Sequence, residues 1–182
     1  MIVKTTTQVG NPLIRGKAKS VANPKTKAIQ KIIEDLTDSM RHHQLVGMAA
    51  PQIGKNVRVF VTEIRKTKLR KGQSVRNVDK LRVFINPKIT KYSKQQIKGW
   101  EGCGSVASAH LFGMVSRPKS ISVTALDENG DEFTLEVTGL LARVIQHECD
   151  HLDGIVFTDK ADVSTFTSRD EYLKMKLMKL KE

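Results

Sequence analysis

The sequence predicts an α+β fold, with antiparallel strands in the middle of the chain and helices towards both ends. Apolar residues recur at helical spacing near the N-terminus and again in the last third of the chain. Between these segments, short β-branched runs alternate apolar and polar side chains. No internal repeat or linker divides the sequence, so we expect a single domain over residues 1–182.

The first predicted helix covers residues 22–44. Its apolar residues recur every three or four positions, so they share one face, and we expect that face to enter the core. Asn23 is the expected N-cap of this helix. Pro24 suits the first helical position, because an N–H is not needed there.

The middle of the chain predicts strands, because short runs rich in Val, Ile and Thr alternate with polar residues. The four predicted strands are residues 57–64, 81–86, 119–127 and 132–138. Pro87 is expected to stop the second of them, after which the strand can resume beyond a kink. The last two flank Asn129 and Gly130, a pair that favours a tight hairpin turn.

Two further helices are predicted in the last third of the chain, at residues 138–154 and 168–180. Thr138 is the expected cap of the first, and Gly154 is a natural stop for it. The second opens with an S-R-D-E capping-box pattern. This order of helix, strands and helices completes the α+β prediction.

The composition excludes several classes of protein. No apolar run approaches the roughly 18 residues that a membrane-spanning helix needs, so we expect no membrane partner. The N-terminal residues lack the apolar core of a secretory signal, which predicts a cytoplasmic location. Cys103 and Cys149 are too few for a disulfide framework, and they fit reduced thiols or one thiolate on a metal.

The chain carries 31 basic and 19 acidic residues, and its net charge of +12 predicts an anionic neighbour. Residues 65–80 hold seven of the basic residues against one acid, and the C-terminal helix is basic as well. Few aromatic residues lie among these charges, so stacking on nucleic-acid bases is not supported. We therefore expect no sequence-specific nucleic-acid binding, whereas attraction to phosphate backbones and a merely solvated surface both stay open.

The stretch QHECDHLDG, residues 146–154, concentrates polar chemistry on an otherwise apolar helix. His147 and His151 are four residues apart, so their imidazoles lie about 40° apart on one helical face. Glu148 is rotated by about 100° from His147, which places it beside a shared ion rather than on it. This is the H-E-x-x-H pattern, in which the glutamate takes a proton from metal-bound water. Burying these groups without a metal would cost several kcal/mol.

A catalytic metal site typically has three protein ligands and one open position. No histidine follows His151, so the third ligand must come from elsewhere in the chain. Cys103 lies between two glycines in EGCGS, and its thiolate would complete a Cys-His-His set. Cys149 lies about 200° around the helix from His147, so we expect it to be a small core residue.

Together, three stretches resemble the motifs of the peptide deformylase family: LVGMAAPQIG at residues 45–54, EGCGS at 101–105 and QHECDHLDG at 146–154. Their order and spacing match, the resemblance covers nearly the whole chain, and the STFTS segment is similar to the mitochondrial-type branch. Two positions depart from the motifs, since Leu45 replaces a glycine and Gly104 stands where a bulky residue is usual. The resemblance implies antiparallel sheets packed around a central metal-binding helix.

The resemblance implies a metal-dependent hydrolase that removes the formyl group from N-formylmethionine at the N-terminus of nascent polypeptides. Its implied metal ligands are Cys103, His147 and His151. Metal-bound hydroxide would attack the formyl carbon, with Glu148 as the general acid/base. The resemblance assigns two further catalytic groups, which stabilise the oxyanion: the side-chain amide of Gln52 and the backbone N–H of Gly104.

The resemblance also implies one divalent ion, with Fe²⁺ expected in vivo and Zn²⁺, Ni²⁺ or Co²⁺ as alternatives in purified protein. Val46, Gly47, Leu140 and Val144 are candidate walls of a methionine pocket, although each could equally be a core residue. The implied partners are formyl-Met nascent peptides and the ribosome surface. The basic segment at residues 65–80 and the C-terminal helix are the expected contacts with the ribosome.

Three alternatives stay open at this point. A generic metalloprotease shares H-E-x-x-H but needs a downstream His or Glu as its third ligand, and the sequence does not offer one at the usual distance. A non-catalytic homologue could bind nascent chains or ribosomes and keep the site as a relic. A small basic RNA-binding protein with a structural zinc would need a fourth protein ligand.

Overall fold

A computed structural model gives the structure of this protein and describes residues 3–65 and 78–178. Within these residues the α-helices are α1 (Pro12–Arg15), α2 (Lys27–His42), α3 (Gly139–Leu152) and α4 (Arg169–Met178). The strands are β1 (Gly47–Ala49), β2 (Val59–Ile64), β3 (Asp79–Tyr92), β4 (Gln96–Gly102), β5 (Leu111–Pro118), β6 (Ser120–Leu126), β7 (Glu132–Thr138) and β8 (Ala161–Ser168). Short 3₁₀ helices lie at Ala50–Ile53, Ala107–Ala109 and Phe157–Asp159.

The strands form two antiparallel sheets. One has the order β1-β2-β3-β6-β7, and the other has the order β4-β5-β8. Helix α3 contacts β1, β2 and β7 of the first sheet and β5 of the second. The expected α+β fold, with antiparallel sheets packed around a central helix, is confirmed.

Two helices bury apolar faces against the larger sheet. The expected inner face of α2 is buried, and Leu36 and Met40 are fully inaccessible in a cluster with Met48 of β1. Helix α3 places Ile145 and Leu152 in a second cluster beneath β2 and β3. Burying a side chain of this size stabilises the fold by about 1.5–3 kcal/mol, so these contacts fix where α3 lies.

The cap predicted for the first long helix is wrong. Helix α2 begins at Lys27, and the side-chain oxygen of Thr26 accepts a hydrogen bond from the N–H of Ile29. Asn23 instead closes the preceding turn, where its Oδ1 accepts from the N–H of Lys25 at 2.9 Å. Thr26 directly precedes the first helical residue, so its side chain can reach the third N–H of the helix as an N-cap does, whereas Asn23 lies one turn earlier.

The predicted stop at Pro87 is wrong, whereas the predicted resumption of the strand beyond it is observed. Strand β3 continues through it, and the register with β6 shifts between Ile85 and Lys88. This bulge accommodates a residue that has no N–H to donate to the ladder. Asn86 adopts a φ of 51° there and exchanges two side-chain hydrogen bonds with the backbone of Val21.

The last two predicted helices are observed as α3 and α4. Thr138 does not cap α3 with its side chain, because its hydroxyl donates to the carbonyl of Lys119 instead. The capping box of α4 is half formed, since the N–H of Glu171 donates to Oγ of Ser168 at 3.3 Å. No helix among the described residues is long and apolar enough to span a membrane.

Most of the basic segment that was expected to contact the ribosome, residues 66–77, and the last four residues lie outside the described residues.

Candidate active site

The three sequence motifs meet on one side of α3. This helix presents His147 and His151, and the end of β4 brings Cys103 against them. The potential ligand atoms of these three residues all lie within 4.8 Å of one another, as the sequence predicts. The 3₁₀ helix that follows β1 brings Gln52 to the same place.

Cys103 and His151 form the buried side of this cluster. Cys103 Sγ lies 3.1 Å from Nε2 of His151, and both side chains are almost completely inaccessible. Among the described residues, Nδ1 of His151 has no hydrogen-bond partner. A buried thiol and two imidazoles with so few other partners are costly on their own. Thiolates and imidazoles are, however, donors that hold zinc and similar ions, and catalytic sites typically have three protein ligands, so the residues fit a divalent metal.

The surroundings of Cys103 favour its thiolate form. Burial alone would raise the pKa of the Cys103 thiol, but the facing imidazoles of His151 and His147 hold this pKa well below its usual value. The N–H of Ser105 also points at Sγ, at 3.3 Å. A thiolate is the form of cysteine that binds a metal.

His147 is oriented by Glu101, a residue for which the sequence predicts no role. Nδ1 of His147 donates to Oε2 of Glu101 at 3.0 Å, which leaves Nε2 for a metal. The guanidinium of Arg117 donates to both oxygens of the same carboxylate, at 2.6 and 2.9 Å. Burial would raise the pKa of Glu101, but the hydrogen bonds from Arg117 and His147 outweigh it and hold this pKa well below its usual value.

Glu148 lies beside the three potential ligands without joining them. Its side chain is buried, and Oε2 has no hydrogen-bond partner among the described residues. Burial raises the pKa of Glu148 to about 7, within the range that suits a general base at neutral pH. Gly47 makes room for this carboxylate, because a Cβ at Gly47 would overlap Oε1 of Glu148 and lie 2.8 Å from Cγ1 of Val144.

Gln52 is held in a single orientation by its backbone neighbours. Its Oε1 accepts from the N–H of Ala49 at 2.8 Å, which turns Nε2 towards the site. Nε2 lies 3.6 Å from Sγ of Cys103 and 3.3 Å from Oγ of Ser105. The amide N–H₂ is therefore a fixed donor at the ligand cluster.

These groups line a pocket of about 370 Å³. All four predicted wall residues lie on it: Val46, Gly47, Leu140 and Val144. The pocket also reaches Gln52, Cys103, Gly104, His147 and Glu148. The proposed catalytic groups thus share one cavity with apolar walls.

Three aromatic residues form one wall of the pocket, and no regular spacing in the sequence predicts that they meet. Tyr172 of α4 stacks on Phe112 of β5, with ring centroids 4.3 Å apart, and meets the edge of Trp100 at 5.6 Å. All three rings line the pocket. The C-terminal helix α4 therefore contributes to the wall of the pocket.

Cys149 lies outside the cluster, as the helical geometry predicts. It packs in the core with Phe60 and Ala18, and burial raises its thiol pKa to about 12. It is therefore a small core residue and an unsuitable thiolate ligand.

Comparisons with known proteins agree with this geometry. A family model described as polypeptide deformylase matches residues 3–166. The peptide deformylase of Treponema pallidum (strain Nichols) is 39% identical over 154 residues, 85% of this chain and 85% of that one. The mitochondrial peptide deformylase of Homo sapiens is 34% identical over 169 residues, 88% of this chain and 69% of that one. A Met-Ala-Ser-bound crystal structure of the class I type b peptide deformylase from Acinetobacter baumannii has a TM-score of 0.80 at 26% identity, covering 88% of this chain and 100% of that one. This chain belongs to the polypeptide deformylase family.

Proposed function

We propose that this enzyme removes the formyl group from N-formylmethionine at the N-terminus of nascent polypeptides. The observation that carries the proposal is the cluster of Cys103, His147 and His151, which meets an apolar-walled pocket that Glu148 also lines. Membership of the deformylase family and a neighbour crystallised with Met-Ala-Ser support the same substrate class.

Cys103, His147 and His151 would hold one divalent ion. A bound ion of this kind polarises an amide carbonyl and makes water easier to ionise near neutral pH. A thiolate and two imidazoles suit Fe²⁺, which we expect in vivo, and also Zn²⁺, Ni²⁺ or Co²⁺ in purified protein.

Glu148 would move the protons of the reaction. Its Oε2 has no partner among the described residues, so this oxygen can accept a proton from the attacking water. The same oxygen can then deliver the proton to the nitrogen that leaves with the peptide. The buried position keeps bulk water from competing for this proton.

Gln52 and Gly104 would stabilise the oxyanion that forms when the formyl carbonyl is attacked. The Gln52 amide is aimed at the ligand cluster because its oxygen is tied to the N–H of Ala49. The N–H of Gly104 follows Cys103 directly, and Gly104 lines the pocket. Donors that are fixed before the reaction give the largest stabilisation.

The methionine side chain would occupy the apolar part of the pocket, which is lined by Val46, Gly47, Leu140 and Val144. Strand β1 is at the edge of its sheet, so the substrate backbone can add to it as a further strand. Small residues at this edge allow close approach of the substrate.

A ribosome surface is the proposed second partner. The net charge of +12 favours a phosphate-rich neighbour, and exposed Lys174 is one of the basic residues of α4.

Relatives of bacterial and mitochondrial kinds both match this chain. The mitochondrial-type branch and the cytoplasmic location therefore stay predictions.

The test is the release of formate from formyl-Met-Ala-Ser by anaerobically purified protein, with the metal content measured on the same sample. We expect one formate for each peptide consumed and close to one metal ion per chain. Protein that holds the metal but releases no formate would overturn the proposal in favour of a non-catalytic homologue. Cleavage of internal peptide bonds would instead support the metalloprotease alternative.

A further inference from the structure

We propose that Leu45 is a positioning residue, which holds the Gly104 peptide in place for catalysis by occupying the space of the side chain that Gly104 lacks. This inference rests on the proposed function, since it concerns the backbone N–H assigned there to the oxyanion. Both residues line the pocket.

The two residues fit each other closely. A Cβ built on Gly104 would lie 3.1 Å from Cδ1 of Leu45 and 3.2 Å from Cγ2 of Thr6. Contacts of this length are tighter than ordinary van der Waals separations, so a side chain at position 104 would displace one of these neighbours. In this chain the Leu45 side chain fills that space.

Leu45 reaches this position because the end of α2 fixes its backbone. Gln44 adopts a φ of 59°, which reverses the chain, and the N–H of Leu45 donates to the carbonyl of Met40 at 2.9 Å. This bond is the one that closes a helix C-terminus in a left-handed cap. The Leu45 side chain also packs against the apolar cluster of α2.

The peptide groups on both sides of the Gly104 Cα are anchored as well. The carbonyl of Cys103, in the same peptide plane as the Gly104 N–H, accepts from the N–H groups of Val106 and Ala109, both at 3.1 Å. The carbonyl of Gly104 accepts from Oγ1 of Thr6 at 3.0 Å and from Nε2 of Gln8 at 2.8 Å.

Leu45 adds a packing restraint to the hydrogen bonds that already hold the two peptide groups beside Gly104. Glycine can rotate about its Cα more freely than any other residue. The two bound carbonyls limit that rotation, and packing against the Cα limits it further; the atom nearest the position of a Cβ is Cδ1 of Leu45. The matched sizes of Leu45 and Gly104 therefore set how rigidly the proposed oxyanion donor is held.

A double-mutant cycle tests this pairing. The variants are Leu45→Ala, Gly104→Leu and the two changes together, assayed with formyl-Met-Ala-Ser for kcat and KM, and also for metal content and Tm. We expect each single change to lower kcat about tenfold, a fraction of the 10²- to 10³-fold that an oxyanion donor supplies. The metal content should be unchanged, because neither residue is among the proposed metal ligands. KM should stay within about threefold, because the proposed oxyanion donor acts in the transition state.

The double variant is expected to regain kcat to within about threefold of the parent, because leucine at position 104 enters the space vacated at position 45. Leu81→Ala is the matched control. Leu81 is a partly buried leucine on the same apolar cluster and does not line the pocket, so its loss should lower Tm without lowering kcat.

Three results would overturn the positioning role while leaving the proposed function intact: an unchanged kcat in Leu45→Ala, single losses in kcat that multiply in the double variant, or recovery confined to Tm. A parent that releases no formate would overturn the proposed function and the positioning role together. The two failures are therefore distinguishable.

Discussion

Nδ1 of His147 lies 3.0 Å from Oε2 of Glu101, and this contact links a candidate metal ligand to a buried group of charges. Oε1 of the same carboxylate accepts from Arg143 at 2.6 Å, and Arg117 continues to Asp150 at 2.8 Å. Because Arg143, His147 and Asp150 all lie on α3, Glu101 ties the end of β4 to this helix. The position of the imidazole therefore depends on the whole group.

Glu101→Gln should weaken metal binding and lower stability together. The amide keeps the shape of the side chain but removes the charge that orients His147 and balances Arg117. Changes of this kind next to a metal ligand typically cost 10- to 100-fold in metal affinity. We expect a loss of that size in a competition titration with a chelator, with a stability loss on the order of 3 kcal/mol in denaturant unfolding.

Glu63→Gln is the matched control for this change. Glu63 pairs with Arg41 and Arg65 near the surface, where an ion pair typically contributes about 0–1 kcal/mol. Its removal should leave metal affinity unchanged. Parent-like metal affinity in Glu101→Gln would show that His147 is held by packing alone.

Glu148→Ala should keep the metal and lose turnover. Glu148 is proposed to move protons rather than to bind the ion, and general acid–base groups supply typically 10²- to 10⁴-fold. We expect a fall in kcat of at least that range, with parent-like metal content. Asp153→Asn, at the end of the same helix, should change neither quantity. Loss of the metal from a folded Glu148→Ala protein would contradict the role assigned here.

The two cysteines should respond differently to serine. Cys103→Ser replaces a thiolate by a poor ligand, so metal content and formate release should fall together. Cys149→Ser should preserve both and reduce stability modestly, since Cys149 is a buried residue of the apolar core. The measurement is metal analysis beside the peptide assay. Equal loss of metal from both variants would mean that the ligand set is wrong.

The sequence predicts the parts of the site that are local. His147, Glu148 and His151 belong to one helix, so their mutual placement follows from helical geometry. The contacts that hold them depend instead on pairing between distant segments, which a local pattern does not encode. Strand β5 pairs with β4 and with β8, and only this arrangement brings Phe112 beneath Tyr172 and Arg117 beside Glu101.

Gly47→Ala should disable the enzyme without removing the metal. An added Cβ would overlap Oε1 of Glu148, so the proposed base must move away from the attacking water. We expect kcat to fall by about 10² or more, the range that a displaced general base implies. Met48→Leu on the same strand is the control. Met48 packs in the apolar cluster of α2, and its replacement by leucine nearly conserves the side-chain volume. Near-normal turnover in Gly47→Ala would show that Glu148 has room to shift and still act.

Neutralising the C-terminal lysines should weaken ribosome binding and spare the chemistry. The change is Lys174→Gln, Lys179→Gln and Lys181→Gln together, and Lys176 is kept because it lines the pocket. Each phosphate contact contributes about 0.7–0.9 to the slope of log affinity against log salt, so the triple change should flatten this slope by up to about 2–3. The measurement is co-sedimentation with ribosomes across a salt series, alongside formate release from the free peptide.

The control for that experiment removes the same charge elsewhere, from three exposed lysines outside α4: Lys25, Lys88 and Lys94. If the C-terminal helix is the contact, this control should retain most of the parent's affinity and salt slope. Equal weakening by both sets would mean that the net charge attracts the ribosome without a defined contact. Binding to phosphate is strongest at low salt, because counterion release then favours it most. A parent that does not sediment with ribosomes at low salt would therefore show that the excess positive charge is only a solvated surface.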